Sequence, residues 1–190
     1  MISTFLVEHA PLVGLGFWIT VVVVTAITWA LHRRRLRGVL LGLSGVALVG
    51  LLALTFVPDG SRPGGLSCTI QFSVPFQGIE TLANIALTLP LALLLGVAMN
   101  RPLTVLLGVG SLSAVIEVVQ ALLPGIGRRC DTNDWLMNAV GALLGALIAC
   151  VICKLGRRRD AKQDAPALDR SAEPTARASR TGTGSTTVGG

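Results

Sequence analysis

Five stretches of the chain are almost free of charge, and short polar stretches separate them. They run from Leu12 to Leu31, Val39 to Val57, Leu82 to Met99, Leu103 to Leu123, and Trp135 to Cys153. A helix of about 20 apolar residues crosses the hydrocarbon core of a bilayer, because each residue advances about 1.5 Å. The pattern therefore predicts an all-α fold, a polytopic transmembrane helix bundle of five spans. The segments "HRRRLR", "PDGSRPGG", "NRP", "PGIGRRCDTND" and "KLGRRRDAK" end the five runs in turn.

These punctuating segments set an expected orientation. Arg33, Arg34, Arg35, Arg37, Arg101, Lys154, Arg157, Arg158 and Arg159 fall on one side, and only Arg62, Arg128 and Arg129 on the other. Lys and Arg in short flanks concentrate on the cytoplasmic side. The expectation is an N-terminus outside and a C-terminus inside. The first residues carry Glu8 and no Lys or Arg, unlike the basic start of a signal peptide. Residues 1–11 then form a short extracytoplasmic N-terminus and 12–153 the transmembrane domain. Residues 154–190 form a basic tail. From about Asp160 that tail is rich in Ala, Ser, Thr, Gly, Pro and Arg. Such a composition buries too little apolar surface to offset its ordering entropy, so disorder is expected. The tail is either simply solvated or held to anionic headgroups through its arginines.

Composition supports the membrane reading. Of 190 residues, 52% are hydrophobic and 14% charged. The net charge of +6 belongs largely to the flanks of the runs, so it does not call for nucleic acid. No phosphate-binding glycine loop, His-rich zinc motif or G-x-S-x-G is present. No cofactor or metal is therefore expected.

In the expected orientation the rare polar residues collect at one level. Glu117 lies fourteen residues past Leu103, about 21 Å up a core about 30 Å thick. Gln120 is almost a turn further on the same face. Asn84 lies near the outer end of the third span. Asp134 and Asn138 open the fifth, and Arg128, Arg129 and Asp131 precede it. Polar side chains inside spans usually face a bundle interior or a wet cavity.

Each has a structural reading beside the functional one. Glu117 either serves a site or pairs with Arg128 or Arg129. Asn84 and Gln120 either line a site or join helices by hydrogen bonds. "DTND" has the form of a helix start, with Asp131 as N-cap and Asp134 near the third helical position. Pro90 either kinks the third span and opens room near Asn84, or is a tolerated membrane proline. Gly141 and Gly145 form a G-x-x-x-G packing face. Trp135 reads as an interfacial anchor. Cys68 and Cys130 fall one in each outer loop, where the compartment permits a disulfide; the alternative is two free thiols. Cys150 and Cys153 read as small packing residues.

Glu117-x-x-Gln120, followed by Arg128-x-x-Asp131-x-x-Asp134-x-x-x-Asn138-x-x-Gly141-x-x-x-Gly145, resembles the VanZ-like membrane protein family. Asn84 and Pro90 look like its upstream motif, and the resemblance covers roughly residues 80–152. The chain departs from that motif at Thr88 and Ala92, where the family has an aromatic residue and a glycine. The resemblance implies a small multi-pass protein of the bacterial cell membrane. It also implies an association with resistance to the glycopeptide antibiotic teicoplanin.

Three functions follow as expectations. In the first, an outward-facing polar site binds or modifies a cell-envelope component, a lipid-linked precursor or lipid headgroup. Glu117 acts there as acid or base and Arg128 holds a phosphate or carboxylate. Asp131 and Asp134 orient it or hold a divalent cation, though no spacing is diagnostic of one. Asn84, Gln120 and Asn138 supply hydrogen bonds. In the second, the protein is a non-catalytic scaffold or partner-binding module, and the polar cluster is internal glue. The third, a carrier, is disfavoured: the first two spans have no ionisable core residue, and polar groups are absent from the inner half. Whether the chain is an enzyme, and whether it forms a homo-oligomer, stays open.

Overall fold

The computed structural model describes residues 10–56, 68–123 and 130–178. Five helices carry the fold: α1 (Ala10–Arg33), α2 (Arg37–Phe56), α3 (Ile79–Met99), α4 (Pro102–Leu122) and α5 (Thr132–Ala178). Two short strands, β1 (Cys68–Thr69) and β2 (Cys130–Asp131), pair in parallel before α3 and α5. All five helices are long and apolar enough to cross a membrane, so the chain is a multi-pass membrane protein with an all-α bundle. Residues 1–9, Arg62, Arg128 and Arg129, and residues 179–190, lie outside the described part.

The turns at one end follow from the sequence. Asn100 takes the left-handed conformation, with φ 54°. Its amide bonds the Val97 carbonyl, and the Arg101 amide reaches back to Gly96. These bonds satisfy carbonyls that the end of α3 leaves orphaned. Pro102 then opens α4, where its missing N–H costs nothing. Arg35, with φ 56°, closes α1 in the same way, its successor Leu36 bonding the Leu31 carbonyl.

α3 is the centre of the bundle. In its span 61% of residues are buried, against 11% in α1 and 17% in α2. One core cluster joins Ile85, Leu89 and Leu93 of α3 to Met137, Ala149 and Ile152 of α5. A second joins Leu91 and Ala92 to Leu51 of α2 and to Val105, Val109 and Ile116 of α4.

The contact of α3 with α5 is a backbone contact, and glycine permits it. A Cβ on Gly141 would collide with the Ile85 carbonyl oxygen and with Thr88 Oγ1. A Cβ on Gly145 would lie 2.5 Å from the Leu89 carbonyl oxygen. Small residues at this spacing let two membrane helices close on each other.

Pro90 sits inside α3 without ending it. It lines a groove of about 220 Å³ between α1 and α3, and Asn84 is not among the lining residues.

α5 is described as helix as far as Ala178. Residues 154–178 are rich in Ala and Arg, both good helix formers. Elongating a helix already nucleated by the span is far easier than starting one. This continuation passes through Pro166 and Pro174, each of which lacks the amide for one helical bond.

Candidate functional site

The site is built at the end of the bundle where β1 and β2 meet. A disulfide joins Cys68 to Cys130, with Cα atoms 4.6 Å apart, and the ladder continues through Thr69 and Asp131. The chain entering α3 is thereby tied to the chain entering α5. Side chains extend the tie. The Thr132 hydroxyl accepts the Gln71 amide at 3.1 Å, and Asn133 Oδ1 accepts the Ser73 amide at 2.9 Å. Gln71 Nε2 donates to Asp131 Oδ2 at 2.7 Å.

Asp131 is the N-cap of α5. Its Oδ1 accepts the amide of Asn133 at 2.8 Å, satisfying one of the helix's orphan donors. The backbone N–H of Asp131 itself points to α4, where Glu117 Oε2 accepts it at 2.9 Å. Glu117 is only 7% exposed. A carboxylate there needs donors, and the turned-in backbone of β2 supplies one. The carboxylates of Asp134 and Asp131 both act electrostatically on Glu117, so three acidic groups converge here.

Two further pairs cross the helix interfaces. Asn84 of α3 donates its amide to Asp134 Oδ1 of α5. Asn138, one turn deeper on the same face as Asp134, donates to Ser113 Oγ of α4 at 3.0 Å. Thr88, fully buried on α3, donates to the Asn138 backbone carbonyl at 2.7 Å. The result is a polar seam shared by α3, α4 and α5, in which residues recur one helical turn apart. Its upper members are Asn84, Glu117 and Asp134, and its lower members Thr88, Ser113 and Asn138. One group in it is unmet: Asn138 Oδ1 is buried with no hydrogen-bond partner. Buried acceptors are normally paired, so this oxygen is a place for a donor.

The structure thus brings Asn84, Glu117, Asp131, Asp134 and Asn138 together. Gln120 is buried on the same face of α4, but its amide is engaged elsewhere. Nε2 donates to the Thr55 carbonyl at 3.2 Å, near the end of α2. That carbonyl belongs to the last turn of a helix, where no intrahelical amide reaches it. Arg128, and with it the pairing of Glu117 to Arg128 or Arg129, lies outside the described residues. Trp135 is exposed beside the start of α5. Cys153 packs in the first core cluster, and Cys150 is half-buried.

Sequence reasoning did not single out Ser113, Gln71, Thr132 or Asn133 as partners in the site. Ser113 had a signal, standing one turn before Glu117 on the same face. The other three had none, because their role depends on how two loops lie side by side. The departures at Thr88 and Ala92 also acquire a reason. Thr88 bonds Asn138 and borders Gly141, while the Ala92 methyl lies 3.0 Å from where a Gly145 Cβ would stand. Both positions belong to the tight α3–α5 contact.

No match was found among curated proteins or among solved structures. A family model, VanZ/LLP1, matches residues 17–153. The match reaches beyond the motif-bearing spans to include most of α1 and all of α2. With five spans, the motif residues gathered at one end and a match over most of its length, the chain belongs to the VanZ/LLP1 family.

Proposed function

We propose that the polar seam at the disulfide end faces outward and binds or modifies a cell-envelope component, a lipid-linked precursor or a lipid headgroup. Glu117 acts as its acid or base. Asp134 and Asn84 position the bound group, Asn138 Oδ1 accepts a donor from it, and Arg128 holds a phosphate or carboxylate. The observation that carries this reading is the unmet, buried Asn138 Oδ1 at the base of a three-helix polar seam. A disulfide suits an oxidising compartment, which favours this end as the external one. The family association with glycopeptide resistance, teicoplanin included, is consistent with an envelope target.

The test is a pair of variants, Glu117→Gln and Asp134→Asn, each of which keeps an oxygen acceptor. Thermal stability is measured in reconstituted membranes, and teicoplanin susceptibility in cells expressing equal amounts of protein. Loss of resistance at unchanged stability supports a site. Full resistance with both variants folded sinks the proposal.

A second reading has its own support. Most of the seam is already satisfied internally: Glu117 by Asp131, Asp134 by Asn84, and Asn138 Nδ2 by Ser113. Glue between helices needs no more than that. On this reading the same variants lower melting temperature and abundance first, and resistance falls only in proportion.

A further inference from the structure

The segment from β1 to α3, residues 68–79, contains no charged side chain. The backbone amides of Gln71 and Ser73 are bonded by the side chains of Thr132 and Asn133. Ile70, Phe72 and Val74 turn outward, 78%, 71% and 59% exposed. With no charge among them, these three large side chains leave a row of apolar groups open. Large exposed apolar patches mark contact surfaces.

The row has a location. It lies between the first turns of α3 and α5, both membrane spans, so it sits at the level where spans leave the hydrocarbon. Aromatic rings continue it. Phe76 stacks on Trp18 at 5.8 Å and lies 6.3 Å from Phe17. Phe17 in turn lines the groove between α1 and α3, with Val21, Ala83, Ala86 and Pro90. Apolar groups are thus present both on a non-helical segment and, through Phe76 and Phe17, at a groove between two spans. Irregular backbone is tolerated next to lipid only when its polar groups are met. Here the backbone amides of Gln71 and Ser73 are met by side chains, and Pro75 has none to meet.

We propose that residues 70–76 form a shelf that docks into the lipid leaflet at the disulfide end. Ile70, Phe72 and Val74 enter the headgroup–acyl boundary, and the Phe17–Trp18–Phe76 cluster and the groove accept acyl chain below it. The occupant is phospholipid. The contact does not depend on the chemistry of the polar seam. It does set a route: whatever reaches the seam past this shelf arrives from the leaflet.

The experiment is photo-crosslinking in nanodiscs of phosphatidylethanolamine and phosphatidylglycerol, using full-length protein with its disulfide intact. Benzoylphenylalanine replaces Phe72, or in a second protein Val74. A third carries it at Val46, an exposed residue of the α2 span. Phe72 and Val74 are exposed, so neither replacement opens a core cavity. The expected result is a phospholipid-mass adduct at Phe72 or Val74, with a yield within threefold of that at Val46. Crosslinking to a second copy of the chain overturns the proposal. So does the absence of lipid adduct at both positions while Val46 gives one.

Discussion

The first two helices and the last three treat their polar residues in opposite ways. In α1 and α2 four hydroxyls bond their own helix. Thr20 donates to the Gly16 carbonyl, Thr28 to Val24, Ser44 to Leu40 and Thr55 to Leu51, each four residues back. In α3, α4 and α5 the seam bonds cross from helix to helix. The glycines of α1 and α2 also differ from those at the α3–α5 contact. Gly14, Gly16, Gly42, Gly45 and Gly50 have open space where a Cβ would stand, whereas Gly141 and Gly145 press on the backbone of α3. Self-bonding polar groups and open glycines let a helix stand in lipid with few neighbours. Cross-bonding groups and closed glycines fix the rotation of one helix against the next. The lesson is that α3–α5 form the specified core, with α1 and α2 laid around it.

Four measurements put that contrast at risk. The largest effect is expected at the clamp on the seam's open end. The double variant Cys68→Ala, Cys130→Ala releases a bridge between residues 62 apart in sequence. Chain-entropy reasoning gives a loss of about 4 kcal/mol, read as a lower midpoint in reversible unfolding. An unchanged midpoint would show that the seam alone holds this end.

Next comes Gly141→Ala. Its methyl meets the backbone of Ile85, which cannot move aside as a flexible side chain can. Overpacking of this kind costs about 1–3 kcal/mol. Gly42→Ala, with open space, should be neutral or slightly stabilising, since alanine is the better helix former. Equal melting temperatures for the two variants would remove the distinction between the two groups of helices.

Smaller again is Asn84→Leu, which takes the donor from Asp134 Oδ1. Interhelical hydrogen bonds in membranes average about 0.6 kcal/mol and reach about 1.7. A fall in that range is expected, with α-helical content retained by circular dichroism. A larger fall would show that the acidic cluster needs the hydrogen bond that Asn84 donates.

The smallest effect belongs to Thr28→Val and Ser44→Ala. Each hydroxyl bonds a carbonyl of its own helix, so its loss orphans no partner across an interface. Changes within about 0.5 kcal/mol are expected in the same unfolding assay. A drop of several kcal/mol would mean that α1 and α2 are specified by polar contacts after all.

Much of this fold was legible in the chain. Four apolar runs match their helices to within a few residues and the fifth starts three residues after α5 does, because the distinction between oil and water acts residue by residue. "NRP" announced a helix end and a new start, because left-handed Asn and first-position Pro act locally. "DTND" announced the cap at Asp131 for the same reason. The Asn84, Glu117, Asp134 and Asn138 level followed from counting residues along spans.

What the sequence determined by itself was therefore the number of spans, most of their limits, and the place of each polar residue along its span. These follow from periodic rise and from transfer into hydrocarbon, both properties of short segments. What only the tertiary structure decided was who bonds whom. Glu117 could have faced an arginine or a helix; its described bond is to the amide of Asp131, because the β1–β2 ladder turns that amide toward α4. Gln120 shares the face of Glu117, yet α2 lies close enough to draw its amide to Thr55. Asn138 has one end of its amide met and the other not. Such outcomes depend on helix rotation, on the close approach that Gly141 and Gly145 allow, and on the path of two loops. None of these is a property of any segment taken alone.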